Sequence, residues 1–289
     1  MKINPVYRQE SRVSARSFRL PLIILSCNSL LALVALLNMY SMVTQVKATA
    51  EIQYSSFLSL YIFGAAIEFA MLLLIVPALT AGSVSGERER QTLNLLLTTR
   101  MTPADIVMGK LLSCLSTVFL LVVSSFPILA LVFIYGGVTG KDIFLLLISF
   151  GSTALLAGSI GICCSSIFKR TTIATAVSYC ALAVLVLGTM ALRRFSASFQ
   201  VQGNGGAGQG ASWVLLVNPA VSFLAAIKGQ LGNIRQLNVL EMWTGNGPAS
   251  LLTRWWLGIS TGVQMALSAL CLWIAVCRVN PRRRRLWKD

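Results

Sequence analysis

Gly82-Ser83-Val84-Ser85-Gly86-Glu87-Arg88-Glu89-Arg90-Gln91-Thr92-Leu93-Asn94-Leu95-Leu96-Leu97-Thr98-Thr99-Arg100 is a polar, mixed-charge stretch set between two apolar runs, residues 56–81 and 107–135. A run of about 20 apolar residues is what a bilayer-spanning helix needs. The stretch therefore reads as the water-exposed link between two membrane helices. Its local chemistry is that of a short helix. Gly86 lets the chain turn out of the membrane. Ser85 is placed to cap a helix beginning near Gly86, and Glu87 and Glu89 fall in its first turn, where the helix dipole favours carboxylates. Leu93, Leu96 and Leu97 make an apolar face. Thr102-Pro103-Ala104-Asp105 then opens the following helix with a cap, a first-turn proline and a near capping box. A solvated loop needs neither caps nor an apolar stripe, whereas a helix docking onto a partner protein uses both.

Outward from this link the chain is apolar throughout. Of its 289 residues 56% are hydrophobic and 11% charged, and the mean hydropathy is +0.76. Soluble domains carry about 25% charged residues, so a water-soluble fold could not cover its surface here. The apolar residues gather into six runs, roughly 20–41, 56–81, 107–135, 143–167, 172–192 and 255–277. The fold class expected is an all-α integral membrane protein: one transmembrane domain over residues 1–289, with six spans.

Residues 1–19 are polar and basic. Asn4-Pro5 would start a helix, and Arg12, Arg16 and Arg19 would share one face of it, which suits an amphipathic helix on the membrane surface. The apolar run that follows is longer than a signal-peptide core and lacks a small-x-small cleavage site. With six spans both termini lie on one side. That side then holds 17 of the 24 Lys and Arg residues: five in residues 1–19, four in the second link (Arg88, Arg90, Arg100, Lys110), Lys169 and Arg170, and six in residues 278–289. Basic residues stay in the cytoplasm, so both termini are expected there. The formal charge of +15 is a membrane-orientation signature on this reading. The Arg282-Arg283-Arg284-Arg285 tail is assigned to lipid headgroups rather than nucleic acid, because it directly follows a span.

Residues 193–254 form the long external segment. The Gly-rich stretch from Gly203 to Gly210 is a flexible loop by composition. Residues 213–227 are apolar but too short to span, and Asn218-Pro219 breaks them, so a re-entrant or interfacial piece is expected. Trp213, Trp243, Trp255 and Trp256 suit the outer interface.

Chemistry-bearing motifs fail one by one. Gly203-x-Gly205-x-x-Gly208 has the letters of a dinucleotide fingerprint without its strand and helix, and residues 136–141 lack P-loop spacing. There is no histidine, and the seven cysteines have no metal-ligand spacing. No enzyme, metal or cofactor is expected, and any ATP must be bound by another subunit. Glu68 is the one acidic residue deep in a span, with Gly64 and Ala65 one turn before it. It should face protein or a cavity rather than lipid. In the fourth span Ala154, Gly158, Gly161 and Ser165 form a stripe of small residues that lets a neighbouring helix approach.

The stretch from Ser85 to Leu93, with the leucines to Leu97, Thr98-Thr99 and Gly109-Lys110, resembles the ATP-binding-cassette type-2 permease family. The Asn4-Pro5 start and the interrupted piece at Asn218-Pro219 resemble it too. Arg100 stands where a proline or small residue would be expected, and the Gly-rich loop is peculiar to this chain. The resemblance implies a six-span half-transporter that pairs with a second copy or a paralogous permease, each docked on a cytoplasmic ATPase subunit. It makes the helix between spans two and three the coupling element, with Glu87, Arg88, Glu89 and Arg90 the candidate ATPase contacts. At least one of the two acidic residues is expected to meet a basic group on the ATPase. Export across the plasma membrane of a prokaryote is the expected role. The spans carry no charged track for a hydrophilic solute, which favours a lipidic or amphipathic cargo or a peptide. An ion-coupled carrier, scaffold or sensor that needs no ATPase is the alternative.

Overall fold

The structure, a computed structural model, describes residues 5–49, 54–92, 102–136, 139–200, 210–231 and 256–279. Every regular element among them is helical, in the order α1 (Pro5–Arg16), α2 (Arg19–Thr49), α3 (Tyr54–Ala81), α4 (Ser85–Glu89), α5 (Pro103–Gly136), α6 (Gly140–Ile167), α7 (Thr171–Ala183), a π-turn (Val184–Gly188), α8 (Thr189–Gln200), a 3-10 turn (Gly210–Val217), α9 (Pro219–Leu231) and α10 (Trp256–Val279). Among the described residues six helical segments are long and apolar enough to cross a membrane: Leu20–Ser41, Tyr61–Glu89, Pro103–Pro127, Gly140–Ile167, Thr171–Leu192 and Trp256–Val279. Helices are the form that satisfies every backbone group without water, which is why such apolar runs adopt them. Pro77 and Pro127 sit inside α3 and α5, a placement that membrane helices tolerate.

The bundle is built around α6, which packs on α3, α5, α7, α9 and α10. The core follows from this: Phe69 and Leu72 of α3, Val118 of α5, and Phe150, Ala154 and Ala157 of α6 are all buried. Phe223 of α9 stacks on Phe69 with ring centroids 4.5 Å apart. By contrast α2 is peripheral, with Leu25, Leu36 and Tyr40 exposed. It is held to α5 by Asn28 Nδ2, which donates to Ser124 Oγ at 2.9 Å.

Three local expectations change. Arg12, Arg16 and Arg19 do not share one helix, because the chain breaks at Ser17–Phe18 and Arg19 opens α2. Gly86 lies inside α4; the turn out of the membrane is made at Gly82–Val84, where Gly86 N donates to Gly82 O at 3.0 Å. Ser85 is no cap, since its hydroxyl donates back to Ala81 O at 2.9 Å. Other readings agree with the structure. Pro5 opens α1, and Thr102 and Asp105 form a reciprocal cap in which each backbone N–H donates to the other's side chain at 3.2 Å. The apolar piece is interrupted at Asn218. That side chain accepts from Ala220 N at 2.9 Å and donates to Val186 O at 2.9 Å, supplying a donor to the π-turn. Asn4, the Leu93–Leu97 face, Arg100, most of the Gly-rich loop, Trp243, Trp255 and the 282–285 tail lie outside the described residues.

Candidate functional site

The helix α4 is only five residues long, and Gln91, two residues past its end, is in a left-handed conformation (φ 58°) that does not continue a helix. So short a helix has little stability of its own. Contacts from distant elements hold it. Ser165 Oγ of α6 accepts from both Val84 N and Ser85 N at 2.9 Å. These are N–H groups at the start of a helix, which have no partner within it, so α6 caps α4 from outside. In return α4 caps α7. The carboxylate of Glu89 accepts from Thr171 N at 2.9 Å and from Thr171 Oγ1 at 3.0 Å, at the first residue of α7. Glu87 points elsewhere, to Lys110 Nζ at 2.7 Å. The same ammonium is 2.7 Å from Glu10 Oε1 of α1, and its side chain is only 3% exposed. One buried cation thus ties α1, α4 and α5 together.

Glu87 and Glu89 therefore both have partners within the chain. Arg88 is half-buried, while Arg90 is exposed at the end of α4. Sequence reasoning noted Lys110 as a basic residue of the link and as part of the Gly109-Lys110 pair, without an ion-pair role, and did not find Glu10, Thr171 or the capping role of Ser165. The signal available for Lys110 was a single cation one turn inside an apolar run, where an unpaired charge is costly.

The small-residue stripe lies on the buried side of α6. A Cβ on Gly161 would run into Thr80 Oγ1 and sit 2.9 Å from Thr80 Cβ, and one on Gly158 would sit 3.1 Å from Leu111 Cδ1. Ser165 is one turn beyond Gly161, so the close crossing of α3 and α6 is what brings its hydroxyl to the start of α4.

Glu68 is fully buried on α3, with the Ser125 hydroxyl of α5 donating to its Oε1. Its other oxygen has no hydrogen-bond partner among the described residues. A charge in mid-membrane costs at least about 2.5 kcal/mol on insertion scales, so a neutral group of the same shape should fit equally well. Glu68→Gln is expected to assemble normally and to melt within a few degrees of wild type in detergent. A loss above about 2 kcal/mol would mean that the site does not accept a neutral amide in place of the carboxyl.

A family model described as ABC-2 family transporter protein matches residues 5–279. The chain belongs to the ABC-2 transporter family. No curated protein matches it. The match covers α1 through α10, so the N-terminal helix and the interrupted piece are parts of the ABC-2 unit. This ABC-2 protein is a multi-pass membrane protein, and its family is one of transporter membrane subunits.

Proposed function

We propose that this chain is the permease subunit of an ATP-driven exporter, and that α4 couples ATP hydrolysis by a cytoplasmic partner to movement of the spans. The observation that carries this reading is the set of side-chain bonds at α4. Five residues of helix are tied to α6 through Ser165, to α7 through Glu89, and to α5 and α1 through Lys110. A displacement of α4 reaches several spans through hydrogen bonds rather than through a flexible linker. The chain has no nucleotide motif, so the energy must arrive by contact. The distribution of basic residues supports a cytoplasmic location for the termini and α4, the side on which an ATPase subunit would bind. Two permeases, identical or paralogous, with two ATPase subunits in the plasma membrane of a prokaryote complete the assembly.

The test is purification of the tagged chain from its own membranes, followed by reconstitution into vesicles. A P-loop ATPase subunit should co-purify, and Ser165→Ala combined with Glu89→Ala should keep that subunit bound while lowering transport per ATP hydrolysed. If no ATPase co-purifies and transport runs without ATP, the chain is an ATP-independent carrier and the proposal is wrong.

A further inference from the structure

We infer that the cleft between α2, α3 and α5 holds one acyl chain of an anionic membrane lipid, with the headgroup at the arginines of α1. This holds whether or not an ATPase drives the chain. The cleft has a volume of about 200 Å³ and is partly open. Ile23 and Ile24 of α2, Ile75 and Leu79 of α3, and Val118 and Leu121 of α5 wall it. Two hydroxyl residues, Ser17 and Thr117, also line it. Thr117 Oγ1 donates to Ser113 O at 3.2 Å, so it needs no partner in the cleft. A dry apolar cavity of about 150 Å³ already takes up benzene, so a stretch of hydrocarbon fits here, and water does not suit so apolar a wall.

The place of the cleft in the fold selects the occupant. All three walls belong to spanning helices, so what lies outside the opening is lipid. The lining is recessed: Ile23, Ile24, Ile75 and Leu79 are half-buried, whereas Leu22, Leu25 and Leu74 beside them are 55%, 71% and 62% exposed. An unfilled recess forfeits the dispersion contacts of its walls, and an acyl chain restores them. A chain lying on a smooth outer face gains less. The lining reaches Ser17, in the break between α1 and α2 and next to Arg16. The charge there is positive. Arg8, Arg12 and Arg16 are exposed and recur every four residues, along one face of α1. Glu10, the acidic residue of that helix, is 2.7 Å from Lys110 Nζ. Exposed Val13 and Phe18 give α1 and its exit the apolar side chains of a segment lying on lipid. A phosphate held by these arginines continues naturally into a chain in the cleft.

The experiment is native mass spectrometry of the purified full chain, released from vesicles of equal phosphatidylglycerol and phosphatidylcholine. Wild type should retain one phospholipid per chain, mostly phosphatidylglycerol. Ile75→Trp fills the cleft and should lose that lipid, while its melting temperature stays level or rises. Leu74→Trp, one residue away on the outward face, should keep it. Should Ile75→Trp fail to assemble, Ile24→Phe makes the same test from the opposite wall. Arg12→Gln with Arg16→Gln should keep a lipid but lower the preference for phosphatidylglycerol by at least about fivefold. Adding phosphatidylglycerol to delipidated protein should raise the melting temperature of wild type and not of the cleft-filling variant. Equal lipid retention by the cleft-filling variant and Leu74→Trp would show that the lipid is annular and the cleft is no site. Wild type that retains no lipid overturns the proposal as well. A changed monomer–dimer ratio with unchanged lipid would give the cleft to a second copy of the chain. An unchanged headgroup preference in the arginine variant would overturn the anionic assignment.

Discussion

Gly161→Ala is expected to destabilise the folded protein by about 1–3 kcal/mol, the usual cost of overpacking a tight core, and to lower the yield of assembled permease. In an unobstructed helix the same change helps, by roughly 0.5–1 kcal/mol, because alanine has less backbone freedom to lose. The sign reverses here because of what the new methyl meets. A rotation of Thr80 moves its hydroxyl out of the way, but Thr80 Cβ at 2.9 Å and Ala81 N at 3.4 Å remain. Relief requires α3 and α6 to separate, which would also pull Ser165 away from Val84 N and Ser85 N. Gly151, on the same helix with nothing within 4 Å, is the control, and Gly151→Ala should be neutral or stabilising. Gly158→Leu should fall on the damaging side, since its Cβ already meets Leu111 at 3.1 Å and a leucine would extend further. Thermal unfolding in detergent separates the outcomes. Equal melting temperatures for Gly161→Ala and Gly151→Ala would show that the crossing yields freely.

The contrast between those glycines shows where the sequence is readable. The spacing of Ala154, Gly158, Gly161 and Ser165 defines one face of a helix from the 3.6-residue period alone. The six spans follow from run length in the same way, and the Thr102–Asp105 cap from a pattern only four residues long. All of these are local properties. The partners are not. Glu10 and Lys110 are 100 positions apart, and Glu89 and Thr171 are 82 apart. No periodicity connects them, so Glu87 and Glu89 read in the sequence as free charges on a surface helix. The same limit explains Ser85. A serine before Gly86 has the composition of a cap, but the cap comes from Ser165 on another helix, which leaves the Ser85 hydroxyl to its own preceding turn. The helix break at Ser17–Phe18 did carry a local mark that went unread: Pro21, in the first turn of α2, has no N–H for the Ser17 carbonyl and cannot continue a helix running back through it.

Lys110→Met is the substitution expected to loosen the α4 region most. Methionine keeps an unbranched apolar stem of similar length and removes the ammonium, so packing along α5 is largely preserved. What changes is electrostatic. Glu10 Oε1 and Glu87 Oε1 both lie 2.7 Å from the nitrogen that disappears, which leaves two carboxylates facing one buried spot. Removing one partner of a buried ion pair costs about 3–5 kcal/mol. Glu10 and Glu87 are 29% and 23% exposed, so water recovers part of that, and the lower end of the range is the expectation. The damage should be local. The bond from Lys110 is a charged tether of α1, and a second polar contact of α1 with α5 is the long 3.5 Å approach of Tyr7 to Ser116. With the tether gone, α1 should detach, and trypsin should cut after Arg8, Arg12 and Arg16 faster than in wild type. Neutralising the acids as well distinguishes charge from shape. In Lys110→Met with Glu10→Gln and Glu87→Gln no buried charge is left unpaired, and cleavage should return most of the way to the wild-type rate. A single variant that melts and cleaves like wild type would show that the three charged groups are solvated independently and do not hold α1 to α4.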